Sequence, residues 1–186
     1  MPFPAISCYP RVRMLCLEVP TDPAWVAAAL DDLDRVLIDH AHCEMKAAST
    51  ALSLVARHPG DLTLARALTD LAREELDHFQ RVILVLQRRG LSLGPPPVDA
   101  YAAELRRASA QLPRDAAIPP LVDRLLVGAL IEARSCERFG LLTDALDRKG
   151  DAGELAHFYR ELFACEAKHY RTYVDLAKLA APHTVG

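Results

Sequence analysis

The sequence Glu75-Leu76-Asp77-His78 decides the fold of this chain, together with its counterpart Glu166-Ala167-Lys168-His169. In each of them a histidine follows a glutamate by three residues, inside a long stretch with helical periodicity. Residues three apart lie on one face of an α-helix, so each pair presents a carboxylate and an imidazole in the same direction. A single pair is common on a helix surface, whereas two matching pairs indicate two helices that face a shared metal site.

The apolar periodicity on either side of these pairs predicts four long helices. His58-Pro59-Gly60 interrupts the pattern, Gly90 and Gly150 end two of the helices, and Pro182 follows the last one. The predicted helices run over roughly 23–57, 61–89, 121–148 and 153–181.

A proline-rich stretch separates the second predicted helix from the third. Residues 91–120 contain Gly94-Pro95-Pro96-Pro97 at one end and three further prolines at the other, around a short helical pattern over 98–110. Two helical hairpins joined by one long crossover form the ferritin-like variant of the four-helix bundle. We therefore predict an all-α ferritin-like bundle over 22–181, with an N-terminal extension over 1–21 and a C-terminal tail over 182–186.

The apolar stripe of each predicted helix is interrupted near its middle by a glutamate or by a glutamate and a histidine. A metal site in a bundle core must replace apolar positions in this way. Four buried carboxylates repel one another unless cations compensate them, and two divalent ions would make the set neutral. Oxygen and imidazole donors together favour iron or manganese. The predicted metal ligands are Glu44, Glu75, His78, Glu132, Glu166 and His169.

Several neighbours of these ligands have open roles. Glu137 competes with Glu132, but it lies about 140° around the helix and is better placed to pair with Arg134 or Arg138. Glu74 could orient a ligand histidine or be solvated, and His40 lies one turn before Glu44. Cys136, one turn beyond Glu132, could border a substrate cavity or simply fill the core.

Composition narrows the class of protein. The 186 residues are 51 % hydrophobic and 25 % charged, with a net charge of −3, which suits one globular domain and gives no general basic surface for nucleic acid. The five cysteines form no CxxC pair, so we expect neither a disulfide framework nor a zinc knuckle, and a reducing cytoplasm is the predicted location. The prolines and charges near the N-terminus do not fit a signal peptide, and no run of roughly 20 apolar residues occurs, so we expect neither a signal peptide nor a membrane span.

Four phrases resemble the tRNA hydroxylase family called MiaE: His40-Ala41-His42-Cys43-Glu44-Met45-Lys46-Ala47-Ala48-Ser49-Thr50-Ala51, Glu74-Glu75-Leu76-Asp77-His78-Phe79, Ile131-Glu132-Ala133-Arg134-Ser135-Cys136-Glu137-Arg138-Phe139 and Glu166-Ala167-Lys168-His169-Tyr170. The resemblance covers roughly residues 22–180. It implies a ferritin-like, non-haem di-iron enzyme that hydroxylates the isopentenyl group of 2-methylthio-isopentenyl-adenosine beside the tRNA anticodon. It also implies that the six predicted ligands hold two iron ions.

The same resemblance implies dioxygen as co-substrate and an external electron donor, either a reductase or a ferredoxin, because the chain has no flavin or nicotinamide motif. The expected partners are this donor and tRNA, with no membrane. Cys136 is a candidate for the substrate cavity, and the arginines and lysine considered for RNA contacts are Arg106, Arg107, Arg134, Arg138, Lys168 and Arg171. Three alternatives remain open at this point: a quinone hydroxylase, an iron-storage or peroxide-scavenging protein, and a bundle without metal.

Overall fold

Six helices make up the regular secondary structure of residues 14–113, 115–149 and 153–181, which are the residues that this computed structural model describes. None of these helices combines the length and the hydropathy needed to cross a bilayer. The helices are α1 (Pro23–Asp31), α2 (Leu33–Arg57), α3 (Leu62–Arg88), α4 (Ala100–Gln111), α5 (Pro120–Arg148) and α6 (Glu154–Ala180).

The first predicted helix is divided in two at Asp32, so the prediction of one continuous helix was wrong there. Asp32 leaves the helical region with φ −139° and ψ 67°, and its carboxylate accepts a hydrogen bond from the Arg35 amide at 3.1 Å. This is an N-cap, which satisfies an amide that would otherwise have no partner at the start of α2. The break divides α1 from α2, and α2 carries the predicted ligand Glu44.

The four long helices form two packed pairs, α2 with α3 and α5 with α6. The crossover between the pairs carries α4, whose first turn is capped by Asp99. The part of the crossover before α4 is also held against α2, because His42 Nε2 lies 3.2 Å from the Leu93 carbonyl and Lys46 donates to the Pro97 carbonyl at 3.1 Å. The predicted all-α, ferritin-like bundle with one long crossover is thus confirmed.

Two apolar clusters fill the bundle at different heights. One includes Leu54, Leu68 and Leu125, and the other includes Leu37 and Leu162. Along each of the four long helices, the glutamates and histidines predicted as ligands occupy the interval between the residues of the two clusters. Apolar packing therefore closes the bundle above and below a single polar layer.

Helices α5 and α6 approach each other closely at Gly128. A Cβ atom there would lie 2.8 Å from Cε1 of Tyr173, whose ring is buried. We expect Gly128→Ala to lower the free energy of unfolding by about 1–3 kcal/mol through overpacking, although alanine favours a helix by about 1 kcal/mol. Urea denaturation measures the change. Gly60→Ala is the matched control, since a Cβ at Gly60 meets nothing within 4 Å, and equal losses in both variants would contradict this packing.

Candidate metal centre

The polar layer of the bundle contains all six predicted ligands, and the side chain of each is buried. No member of the set is more than 4 % exposed. Helix α2 contributes one glutamate and α5 another, whereas α3 and α6 each contribute a glutamate and a histidine. The layer consists of Glu44, Glu75, His78, Glu132, Glu166 and His169.

The ligand atoms of this layer form two groups, each with all of its atoms within 4.8 Å of one another. The first group is Glu44, Glu75, His78 and Glu166, and the second is Glu75, Glu132 and His169. Glu75 belongs to both. Its Oε1 lies 2.8 Å from His169 Nδ1, and its Oε2 lies 3.7 Å from His78 Nδ1. Glu75 therefore stands between two candidate metal positions.

Three atoms of the layer are buried without a hydrogen-bond partner: Nδ1 of His78, Nδ1 of His169 and Oε1 of Glu75. An unsatisfied buried polar atom costs about 1–3 kcal/mol, so three in one layer need a compensating ligand. The close approach of Glu75 Oε1 to His169 Nδ1 lacks the alignment of a hydrogen bond. Nitrogen and carboxylate oxygen donors that converge in this way fit divalent iron or manganese.

Without cations the layer retains protons. Burial, together with the hydrogen bond to Glu44, raises the pKa of Glu75 to about 8. Burial also raises the pKa of Glu132, and burial with repulsion from Glu132 raises that of Glu166 well above its ordinary value. Binding of cations would therefore displace protons from these carboxyl groups.

Glu44 and His78 favour their charged forms, in contrast to the other three carboxyl groups. Burial opposes ionisation of Glu44, but close contacts with Glu75, His40 and His78 outweigh it and hold its pKa below the ordinary value. Burial likewise opposes protonation of His78, but the carboxylates of Glu44 and Glu75, 3.6 Å and 3.7 Å from its Nδ1, raise its pKa to about 10. In the metal-free protein, a proton on His78 thus substitutes for part of the missing positive charge.

Two residues with open roles contact the layer directly. His40 Nε2 lies 2.5 Å from Glu44 Oε1, with the His40 ring 4.9 Å from the Phe139 ring between centroids. On the opposite side, His169 Nε2 lies 3.0 Å from Glu74 Oε2. Each contact supports a ligand from outside the layer, which is how metal-binding side chains are commonly oriented.

The N-terminal segment is bound to the flank of α5, not to the polar layer. Glu137 accepts hydrogen bonds from Arg134 and from the amide and hydroxyl of Thr21. Arg134 also donates to the Thr21 hydroxyl and to the Val19 carbonyl, both at 2.9 Å. Glu137 thus pairs with Arg134 as expected, while Glu132 faces the core.

The other two substrate candidates on α5 also have partners within the protein. The guanidinium of Arg138 lies 4.9 Å from the centre of the Trp25 ring. Cys136 is fully buried and donates to the Phe163 carbonyl at 3.4 Å, and burial raises the pKa of its thiol to about 11. The substrate-binding role of Arg134, Arg138 and Cys136 stays a prediction.

A cleft of about 790 Å³ between α3 and α6 reaches the two histidines of the layer. Its other lining residues include Glu74, Cys165 and Lys168. Helix periodicity does not predict this cleft, because the separation of two helices depends on packing. The sequence contains one signal: Glu74 and Cys165, which line the cleft, immediately precede the glutamates of the two paired motifs.

The chain that holds this polar layer matches a known family. The model of the family described as tRNA-(MS[2]IO[6]A)-hydroxylase (MiaE) matches residues 9–185. The chain belongs to this family. It is therefore an enzyme of the hydroxylase class, as the resemblance implied.

Two relatives of this MiaE family member carry the same name, tRNA 2-(methylsulfanyl)-N(6)-isopentenyladenosine(37) hydroxylase. The protein from Pseudomonas putida strain KT2440 is 48 % identical over 161 residues, covering 87 % of this chain and 74 % of the relative. The protein from Salmonella typhimurium strain LT2 is 33 % identical over 211 residues, covering 87 % of this chain and 75 % of the relative.

A solved structure is similar as well. It is titled protein 43 with aldehyde deformylating oxygenase activity from Synechococcus, and it matches with a TM-score of 0.77 and 39 % identity. The match covers 89 % of this chain and 79 % of that chain. The bundle of this MiaE family member is thus shared with an oxygenase that has a different named activity.

Proposed function

We propose that this chain is a di-iron, dioxygen-dependent monooxygenase that hydroxylates the isopentenyl group of 2-methylthio-isopentenyl-adenosine in tRNA, next to the anticodon. The observation that carries the proposal is the convergence of four glutamates and two histidines in a member of the MiaE family. Hydroxylation of the methyl group consumes one dioxygen, two electrons and two protons, and yields the alcohol and one water. The electrons come from an external reductase or ferredoxin.

When bound, the iron pair would supply the activation of dioxygen. The residues of the chain would hold it: His78 with Glu44, His169 with Glu132, and Glu75 and Glu166 from the facing helices. His40 fixes one oxygen of Glu44 at 2.5 Å, so the other oxygen is left to face the layer. The apolar clusters on either side limit the access of water and of stray reductants to the reacting group.

Nucleoside analysis tests the proposal. We expect tRNA from cells that lack the gene to accumulate unhydroxylated 2-methylthio-isopentenyl-adenosine, and expression of this chain to restore the hydroxylated form. Expression of Glu132→Ala provides the control, because it removes one predicted ligand at the layer. Unchanged hydroxylated nucleoside in the deletion strain would refute the function.

Exposed arginines on α4 are the proposed phosphate contacts. Arg106 is exposed, and the Arg107 side chain is 71 % exposed beside Glu104, whereas Arg134 and Arg138 are occupied within the protein. We expect Arg106→Ala with Arg107→Ala to raise KM for tRNA several-fold, leave kcat unchanged and weaken the salt dependence of binding, since each phosphate contact releases counterions. Arg57→Ala, at the end of α2, is the control. A loss confined to kcat would contradict this assignment.

Aldehyde deformylation is a second candidate activity, favoured by the 39 % identity to the Synechococcus structure. Incubation of the iron-loaded, reduced chain with a fatty aldehyde and dioxygen distinguishes the two candidates. We expect no hydrocarbon product from the aldehyde under conditions in which tRNA is hydroxylated. Hydrocarbon and formate in stoichiometric amounts would favour the second activity.

A further inference from the structure

The two paired motifs differ in the residue that precedes the glutamate. In α3 this residue is Glu74, before Glu75, and in α6 it is Cys165, before Glu166. The two helices run beside one cleft, and both preceding residues line it. A carboxylate at one position and a thiol at the other make the surroundings of the two histidines chemically different.

Glu74 binds the histidine of the opposite helix. Its Oε2 lies 3.0 Å from Nε2 of His169, and its Oε1 lies 2.5 Å from Nζ of Lys168. A histidine that donates from Nε2 to a carboxylate keeps the Nδ1 lone pair for a cation. In His169, Nδ1 is the atom that faces Glu75, at 2.8 Å.

His78 has no such support. Its Nδ1 faces Glu44 at 3.6 Å and Glu75 at 3.7 Å. Within the part of the chain that the structure describes, the carboxylates in ion-pair contact with His78 are those of Glu44 and Glu75, which are themselves predicted ligands. Cys165, in the position that corresponds to Glu74, is an uncharged and shorter side chain.

We infer that the two metal positions are inequivalent, and that Glu74 is a positioning residue for only one of them. The position bounded by Glu75, Glu132 and His169 has an imidazole fixed by a carboxylate, whereas His78 holds the other position without one. This inference rests on the metal centre under Proposed function. A carboxylate partner makes an imidazole a more basic and better oriented ligand, and its loss typically weakens metal binding by about 10–100-fold.

Cobalt substitution makes the difference visible without any measurement of hydroxylation. In the proton NMR spectrum of the full chain loaded with Co²⁺, ring N–H protons of ligand histidines shift far outside the ordinary range. We expect one such proton to exchange slowly with solvent, from Nε2 of His169 bound to Glu74. Both histidines line the cleft, but His78 has no carboxylate outside the ligand set to hold its ring, so its corresponding proton should be lost to fast exchange.

Substitutions at the two matched positions test the assignment. Glu74→Ala should remove the slowly exchanging signal and weaken one of two Co²⁺ binding steps by about 10–100-fold, leaving the other step unchanged. Cys165→Glu should add a second slowly exchanging signal from His78. Glu161→Ala, which removes a half-exposed carboxylate paired with Arg81, is the matched control and should change neither the slowly exchanging signal nor the two binding steps.

Three results would overturn the inference: two slowly exchanging signals in the unsubstituted chain, equal weakening of both steps by Glu74→Ala, or a folded Cys165→Glu variant with no second signal. Circular dichroism establishes that each variant is folded. A chain that binds no Co²⁺ would overturn this inference together with the metal centre. Intact cobalt signals with unmodified tRNA would refute only the choice of substrate.

Discussion

Glu75→Gln should abolish metal binding at both positions, the largest effect that we expect from any single substitution. Glu75 belongs to both groups of ligand atoms, and its two oxygens approach different histidines. The amide preserves the shape of the side chain but removes the negative charge that both cations need. We expect the affinity for each ion to fall by more than the roughly 100-fold that loss of an outer partner causes, and hydroxylation to become undetectable. Metal analysis after gel filtration measures this.

The same substitution should stabilise the metal-free protein. Burial raises the pKa of Glu75 to about 8, so at higher pH the folded state carries a buried negative charge that is compensated only in part. A neutral amide avoids that charge, and we expect the free energy of unfolding at pH 8.5 to rise by about 1–3 kcal/mol. Glu161→Gln, at an exposed surface pair, serves as the control for both measurements. Two bound ions in Glu75→Gln would show that the assignment of Glu75 is wrong.

Much of the fold could be predicted from periodicity, because the periodic apolar positions of each long helix are the positions that the bundle buries. Each apolar stripe that is interrupted by Glu44, Glu75, Glu132 or Glu166 corresponds to a helix whose buried face holds that glutamate. A buried carboxylate is costly unless it is compensated, so its presence on an apolar stripe is informative without any structure. Glu132 could be preferred to Glu137 from helix geometry, because Glu132 continues the apolar stripe of its helix and Glu137 lies about 140° around it.

Features that depend on contacts between distant segments could not be predicted. Asp32 interrupts a continuous helical pattern because its own side chain caps α2, and the periodicity on both sides hides that break. The hydrogen bonds from Arg134 to Val19 and Thr21 join segments more than one hundred residues apart, and helix periodicity carries no information about such contacts. The cleft between α3 and α6 likewise depends on helix separation, which no single helix encodes.

Stability of the metal-free protein should fall as the pH rises from about 5 to 9. The pKa of Glu75 is raised from 4.5 to about 8, so the folded state holds a proton that the unfolded state releases, and the stability present below 4.5 is lost as the pH rises through 8. The raised pKa values of Glu132 and Glu166 act in the same direction. His78, raised from 6.5 to about 10, adds a further loss between those values.

Each proton that is held only in the folded state contributes a slope of about 1.4 kcal/mol per pH unit. Glu44 acts in the opposite sense, because its lowered pKa gives stability above 4.5 that is lost at lower pH. The stability of the metal-free protein should therefore be greatest near pH 5.

Saturating Mn²⁺ or Fe²⁺ should reverse this dependence, since cations compete with protons for the same carboxylates and imidazoles and bind more tightly as the pH rises. Urea denaturation at pH 5, 6.5 and 8, with and without metal under anaerobic conditions, measures both slopes. In Glu75→Gln the metal-free slope should be reduced between pH 5 and 8, because the amide cannot titrate. Parallel slopes with and without metal would mean that the layer does not exchange protons for cations, and that the six side chains do not form a metal centre.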